Sequence, residues 1–392
     1  MRVALVAGAL RSDLDGVADY VLRLADELRV AGVAVRVVHS GPPDGPVPPG
    51  STRVGDAWTP RAILRAAAVL RAADIVHVQF APAMYRFRGG VGALPLALAG
   101  VPIVTTLHEY GWWRWAAAPA VLWQPLERAR LLDRETGLLV PRGRRIVVTN
   151  PAHRAALGAR FGDLRGVESI PIGANVAVDP AVDRPAARRE VRAELGITAG
   201  ATVLAFFGFV HPVKGVRYLV EALAALRAEG RDAHLLVVGG FESLALPAGE
   251  AAEFRAELEG RIGAAGVVGA VTITGFLPPA DVSRLLAAAD IAVLPFTAGV
   301  TTKSGSLLTV LAHGLPTIVT PGAVPDPELI DGATCVIASR VRDPAPIAAA
   351  VRRLDDPGLR QQVVDGARAI VSARSWPAIA RRHLDLYRSV LS

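Results

Sequence analysis

Short apolar, β-branched runs alternate with segments of helical period along the whole chain, and the alternation restarts midway. That pattern dictates most of what the chain can fold into. In the first half VALVAG, VAVRVVHS, IVHVQF, PIVTTLHE and RIVVTN (145–150) are separated by Ala-, Leu- and Arg-rich stretches such as Asp19 to Ala31 and Arg61 to Ala73. A strand buried on both faces reads as a continuous apolar run, and helices returning between such strands make them parallel. The reading is α/β, a doubly wound parallel sheet covered by helices. The second half repeats the rhythm with TVLAFFGFV, a helix from Val216 to Ala228, HLLVVGG, VTITGFL, a helix from Ala280, IAVLPF, PTIVT and CVIA.

Two such sheets suit 392 residues at roughly 150 per domain. The segment IPIGANVAVDPAVDRPAARRE has linker composition, so domains are expected at 1–178 and 179–375. A last helix from Trp376 to Leu391 carries Ile379, His383, Leu386, Tyr387 and Val390 on one face. Residues 376–392 are therefore expected to pack back on the first domain. The longest uncharged stretch, Gly89 to Leu107, is broken by Pro95, Gly100 and Pro102 and reads as a helix, a turn and a buried strand rather than a membrane span.

The single cysteine, Cys335, gives no disulfide framework and no Cys-rich zinc site. MRVALVAGALRSD is too short in its apolar run for a signal peptide, so a cytoplasmic protein is expected. Basic residues exceed acidic ones by 43 − 36 = 7, which favours an anionic ligand or surface. Only Lys214 and Lys303 are lysines, the other 41 cations being arginine, and both fall in glycine-containing loops.

In open α/β sheets ligands collect beyond the carboxyl ends of strands, where loops offer backbone N–H groups and helix starts to anions. Three loops have that character. AGALRSDLDGVADY follows the first strand, and Gly16 at its helix entry either admits a phosphate or simply makes a turn. FFGFVHPVKGVRYLVEAL puts Lys214 just ahead of a helix, where a cation opposes the helix dipole unless an anion is bound or the charge is solvated. LPFTAGVTTKSGSLLTVLAHG carries Ser304, Gly305 and Ser306 at a helix start, an anion nest or plain N-capping. None has the Walker spacing or a GxGxxG fingerprint, which argues against a P-loop ATPase and a dehydrogenase.

His108-Glu109 ends a strand, with no HExxH and no second ligand at metal spacing. It is an acid–base candidate or a satisfied polar pair; His77, inside IVHVQF, reads as a buried hydrogen-bonded residue. Trp112, Trp113 and Trp115 surround Arg114, and Tyr85-Arg86-Phe87-Arg88 repeats the mixture. Such residues form a stacking surface for a sugar, a resting face on an anionic membrane, or a buried corner. No interleaved aromatic array of a nucleic-acid module is present.

Several of these pieces, in order, resemble the retaining GT-B glycosyltransferases of family 4, over essentially the whole chain. MRVALVAGAL…GVADYVLRLADEL is similar to that family's first strand and donor-phosphate loop, IVTTLHEY to its histidine-bearing strand end, and GFVHPVKGVRYLVEAL to its phosphate-lysine motif. ITGFLPPADVSRLLAAADIAVLPF, LTVLAHGLPTIVT and RSWPAIARRHLDLYRSVL continue the likeness. The resemblance implies two Rossmann-like domains facing a cleft, with a nucleotide-diphosphate sugar as substrate and no metal or other cofactor. Gly16 would lie against the donor diphosphate, His108 would reach the transferred sugar or the incoming hydroxyl, Lys214 would neutralise the leaving diphosphate, and Phe276 and Leu277 would lie near the base.

Acceptor contacts would fall to Glu109, Tyr85, Arg86, Trp112, Trp113 and Trp115. The acceptor is then a sugar, a natural product or a lipid-linked glycan, the last with peripheral contact at the inner membrane face. The family's Glu-x7-Glu is replaced by Thr301 and Thr309, and the arginine that often follows the turn glycine by Phe209. His211 is left as the nearest cation, and Lys303 is a candidate second contact to the diphosphate. An epimerase, a coupling enzyme that joins sugar-like units, and an inactive ligand-binding homologue are the alternatives the fold allows.

Overall fold

The computed structural model describes residues 1–42, 50–114, 119–244, 246 and 248–392. The chain divides into two compact units, one of Met1–Ile172 with Ser375–Ser392 and one of Gly173–Arg374.

Unit 1 is a seven-stranded parallel sheet of β1 (Arg2–Ala9), β2 (Ala34–Ser40), β3 (Ser51–Arg53), β4 (Ile75–Phe80), β5 (Ile103–Leu107), β6 (Arg145–Val148) and β7 (Val167–Ser169), in the order β3-β2-β1-β4-β5-β6-β7. β1 is buried from Val3 onward, which explains why it reads as an uninterrupted apolar run. Helix α1 (Gly16–Val30) covers it by burying Ala18, Tyr20, Val21, Leu24, Ala25 and Leu28 at helical spacing.

Unit 2 is a six-stranded parallel sheet of β8 (Thr202–Phe207), β9 (Ala233–Val238), β10 (Val271–Ile273), β11 (Ile291–Leu294), β12 (Thr317–Val319) and β13 (Val336–Ile337), in the order β10-β9-β8-β11-β12-β13. Two of its helices matter below, α2 (Val216–Ala228) and α3 (Gly305–Ala312). The linker-like segment is only partly irregular. Asp183 caps a helix, Arg184–Glu194, with Pro185 in its first turn, and the stretch before it is tied into unit 2 by Val176 N–H to Thr309 Oγ1 (3.1 Å) and Asp179 N–H to Ser283 Oγ (3.0 Å).

The chain returns to unit 1 as α4 (Trp376–Leu391), which lies on α1 and buries Trp376, Ile379, His383, Leu386, Tyr387 and Val390. Each large apolar side chain so buried contributes ~1.5–3 kcal/mol. Gly89 to Leu107 forms a 3-10 turn, a short helix and β5, and among the described residues no helix is long and apolar enough to cross a membrane.

Candidate functional site

Strand order reverses direction once in each sheet, between β1 and β4 in unit 1 and between β8 and β11 in unit 2. At such a switch point the loops leaving adjacent strands diverge to opposite faces and open a crevice at the carboxyl edge. The loops carrying Gly16, Tyr85 and Arg86, Lys214, and Thr301 to Ser306 leave these strands, and His108 follows β5, the neighbour of β4.

In unit 2, Gly208 ends β8 at φ +132°, and a Cβ there would collide with Ser306 Oγ, so the β8 loop and the start of α3 lie against each other. Gly305 is likewise pressed against the Asn175 side chain. Ser304 caps α3 by accepting the Leu307 N–H at 3.3 Å, and Asp326 holds the preceding loop by accepting from both the N–H (2.7 Å) and hydroxyl (2.9 Å) of Thr302. The Gly305 and Ser306 N–H groups belong to the first turn, where no intrahelical carbonyl is in reach. The β8 loop makes a 3-10 turn, Pro212–Lys214, before Gly215 in left-handed conformation starts α2. Lys214 Nζ sits 3.8 Å from the centre of the Phe296 ring, at the end of β11. Burial, then the nearby Lys303 ammonium, pushes Lys214 down to about 8. Among the described residues no carboxylate bonds this half-buried cation, and with a second cation near it the local charge favours an anion.

His211 does not supply the extra charge expected of it. Its Nδ1 accepts the Val213 N–H at 3.3 Å, and burial followed by the Lys214 charge holds the ring below its ordinary value, leaving it neutral near pH 7. Thr309 is fully buried and its hydroxyl oxygen takes the Val176 N–H, whereas Thr301 is half-buried on the loop. Lys303 and Phe276 are exposed, and Leu277 is half-buried.

In unit 1, Asp15 caps α1, its Oδ1 accepting the Val17 N–H at 3.0 Å directly ahead of Gly16. Oδ2 is buried with no hydrogen-bond partner among the described residues. Burial, with the Glu109 carboxylate adding to it, pushes Asp15 up to about 7. His108 follows β5, is 9% exposed, touches the Tyr20 ring edge-on at 4.7 Å and bonds Gln79 Oε1 through Nε2 at 2.9 Å. Burial, with His153 and His383 close by, pushes it down to about 3. His108 is therefore a neutral hydrogen-bonding group, unsuited to act as an imidazolium acid.

The segment after His108 is anchored by a buried charge cluster that the sequence did not announce. Tyr110 donates its hydroxyl to Asp133 Oδ1 (2.8 Å), the Gly111 N–H donates to Glu135 Oε1 (2.9 Å), and Arg160 bonds both carboxylates while lying 4.5 Å from the Tyr110 ring centre. Beyond the anchor, Trp112 is 61% exposed and meets Phe87, itself exposed, edge to face. Trp113 is half-buried against Phe80 and Phe87, Arg86 is exposed, and Trp115 lies outside the described residues. Tyr85 belongs to the core instead of that surface, because its hydroxyl donates to the Gln79 carbonyl at 2.9 Å. Arg86 and Phe87 both hold positive φ, 53° and 55°, an unfavourable backbone for such side chains and one often kept at functional sites.

Asp15→Asn tests the electrostatics of this edge. Asparagine caps helices as well as aspartate does, so the variant removes only the charge. A carboxyl held above its ordinary 3.8 binds a proton in the folded chain that the unfolded chain has already released, so wild-type stability falls as pH rises from about 4 to about 7. The variant should gain ~1–3 kcal/mol over wild type near pH 8 and nothing near pH 4, read from denaturant midpoints. An equal difference at both pH values would contradict the assignment.

Residues 14–178 match the model of glycosyltransferase family 4, and residues 201–356 that of glycosyl transferases group 1. The chain is 32% identical over 364 residues to a D-inositol 3-phosphate glycosyltransferase of Geodermatophilus obscurus, covering 88% of this chain and 73% of that protein. It is 29% identical over 212 residues to an alpha-D-kanosaminyltransferase of Streptomyces kanamyceticus, covering 53% and 50% of the two chains. Among solved structures, Anabaena Alr3699/HepE, described in complex with UDP and glucose, superposes with a TM-score of 0.74 at 16% identity, covering 99% of this chain and 100% of that one. A glycosyltransferase from Rickettsia africae gives 0.75, also at 16%, covering 100% and 98%.

Proposed function

Because the chain belongs to the group 1 glycosyl transferases of family 4 and is a glycosyltransferase, we propose that its donor is a nucleoside diphosphate sugar held at the switch point of unit 2. The observation that carries this reading is Lys214, a half-buried ammonium with Lys303 near it and no carboxylate bonded to it among the described residues, on the loop whose Gly208 lies against Ser306 at the start of α3. As the glycosyl bond breaks, negative charge grows on the diphosphate, and a fixed ammonium with oriented N–H groups stabilises that state more than the ground state. HepE, a protein of the same fold, is described in complex with UDP-glucose, which supports a nucleotide sugar as donor, and the D-inositol 3-phosphate glycosyltransferases support a polyhydroxylated acceptor.

Retention belongs to the same proposal, with a diphosphate oxygen taking the proton of the acceptor hydroxyl that attacks from the face the leaving group vacates. No metal is needed in it, since cationic side chains and N–H groups meet the phosphate charge. Thr301 takes the place where the family has a carboxylate and offers the sugar a neutral hydrogen bond, weaker than a charge-assisted one. The acceptor lies against unit 1, near His108, Glu109, Trp112 and Arg86. An exposed indole and phenyl beside arginines suit a sugar ring, a natural product or a lipid-linked glycan.

A thermal-shift panel of UDP, GDP, ADP and dTDP sugars tests the reading. A ligand at 100 times its Kd adds ~2.7 kcal/mol, so one base class should raise the Tm clearly, and the best donor should then be transferred or hydrolysed at the same rate with and without chelator. No shift with any nucleotide sugar would sink the donor assignment. A rate abolished by chelator and restored by magnesium or manganese would sink the metal-free mechanism.

A further inference from the structure

A chain of hydrogen bonds runs through the core of unit 1 and ends at His108. It starts on α4, where Tyr387 Oη lies 2.6 Å from His77 Nδ1. His77 Nε2 is met by Thr106 Oγ1 at 2.7 Å and by Gln79 Nε2 at 3.1 Å. Gln79 Oε1 in turn lies 2.9 Å from His108 Nε2. All of these side chains are buried, Gln79 and His77 completely.

With the Gln79 amide oriented as it is here, its nitrogen only donates and its oxygen only accepts. Gln79 therefore gives a hydrogen to His77 Nε2, which must hold a lone pair, and takes one from His108 Nε2, which must hold the proton. His77 Nδ1–H is then the donor to Tyr387. A neutral imidazole with its proton on Nε2 has a bare lone pair on Nδ1. No described residue bonds His108 Nδ1.

We propose that Gln79 is a positioning residue that fixes the His108 tautomer, so that His108 meets its substrate through Nδ1 as a hydrogen-bond acceptor and recognises a hydroxyl, not an unprotonated phosphate oxygen. The proposal rests on the reading of His108 as a substrate contact. It separates the two polar edges by chemistry: Lys214 in unit 2 takes anionic oxygen, and His108 in unit 1 takes an O–H donor. Tyr387 of α4 holds the far end of the chain.

The groups facing His108 are Gln79 from β4, Tyr20 from α1, His153 from the helix Pro151–Phe161, His383 from α4 and Glu109 next in the chain. Both histidines oppose a proton on it, and burial opposes one more strongly. A single neutral tautomer should therefore persist through the working pH range.

Ring-labelled nitrogen-15 histidine in the full chain reads tautomer and charge at each of the eight histidines, and His108→Asn identifies the signals of His108. Wild type should show His108 neutral and protonated on Nε2 from pH 5 to pH 8. Gln79→Leu removes both amide bonds, and the single-tautomer signature should be lost to an average of two forms. Gln79→Glu keeps the shape and, read at a pH where its carboxyl is ionised, can only accept, so His108 should stay protonated on Nε2 while His77 moves its proton from Nδ1 to Nε2.

A wild-type His108 protonated on Nδ1 would overturn the proposal. So would a His108 tautomer unmoved in Gln79→Leu, and so would a His77 tautomer unmoved in Gln79→Glu. Should the leucine variant fail to fold, the glutamate variant decides through His77. None of these readings needs donor or acceptor, so they stand apart from the nucleotide-sugar panel and fail separately from it.

Discussion

Alanine at position 214 is expected to raise the activation barrier for glycosyl transfer by ~2–4 kcal/mol, on the order of 30- to 1000-fold in rate, the scale for removing one group that stabilises developing charge. The protein should stay folded, because among the described residues Lys214 bonds no carboxylate whose loss would unsettle the loop. Its pH behaviour is a second handle. With the ammonium held at about 8, wild-type transfer should decline as pH rises past that value, since a neutral amine cannot offset the leaving diphosphate.

Stability should move the other way in Lys214→Met. Below about pH 8 the folded chain carries a buried ammonium that the unfolded chain would hold in water, and lowering its value from 10.5 corresponds to up to ~3 kcal/mol. The apolar variant should be more stable than wild type near pH 7, with the advantage shrinking as pH climbs from about 8 to 10.5. Wild-type turnover with unchanged nucleotide affinity in Lys214→Ala would reject the central assignment, and a pH-independent stability difference would reject the electrostatic one.

Arg160→Ala should destabilise the protein by ~3–5 kcal/mol, the cost of leaving buried carboxylates without their cation. Asp133 and Glu135 have no solvent exposure at all, and both are ion-paired with the Arg160 guanidinium. Arg160→Lys is not expected to rescue it, because a single ammonium has no planar fork with which to span two carboxylates and lie on the Tyr110 ring. Chemical denaturation reads the effect. A loss under about 1 kcal/mol, typical of exposed ion pairs, would mean that water reaches the cluster. Where the variant still folds, the Trp112 segment should lose its anchor at Tyr110 and Gly111, so acceptor use should suffer more than donor binding.

The doubly wound architecture was legible because every central strand is buried on both faces and so reads as a run. The switch-point loops were legible because they hold the glycines and the two lysines of an arginine-rich chain. Other features depend on distance along the chain. Arg160 and its two carboxylates are separated by the short helix Leu139–Arg142, by β6 and by most of the helix Pro151–Phe161, and nothing in their local pattern ties them together. Asp15 can be recognised as a cap, but not as a cap with one oxygen stranded in the interior. His211 invites a cationic reading that the Val213 N–H forecloses, a contact visible only once the 3-10 turn exists. Tyr85 sits in an aromatic and arginine run yet turns its hydroxyl inward to a backbone carbonyl. Gln79 left a trace: it shares a strand face with His77, two polar side chains at spacing two in an otherwise apolar strand.

The return of α4 to unit 1 makes the completion of that unit's core depend on residues synthesised after all of unit 2. Residues 1–172 emerge first but lack the surface that covers Tyr20 and the partner that receives the His77 proton. Unit 2 has no such debt, because every residue between Gly173 and Arg374 is already synthesised when its last helix appears. The nascent first unit therefore keeps the α4-binding face of α1 open to solvent or to a chaperone until Trp376–Leu391 has been made.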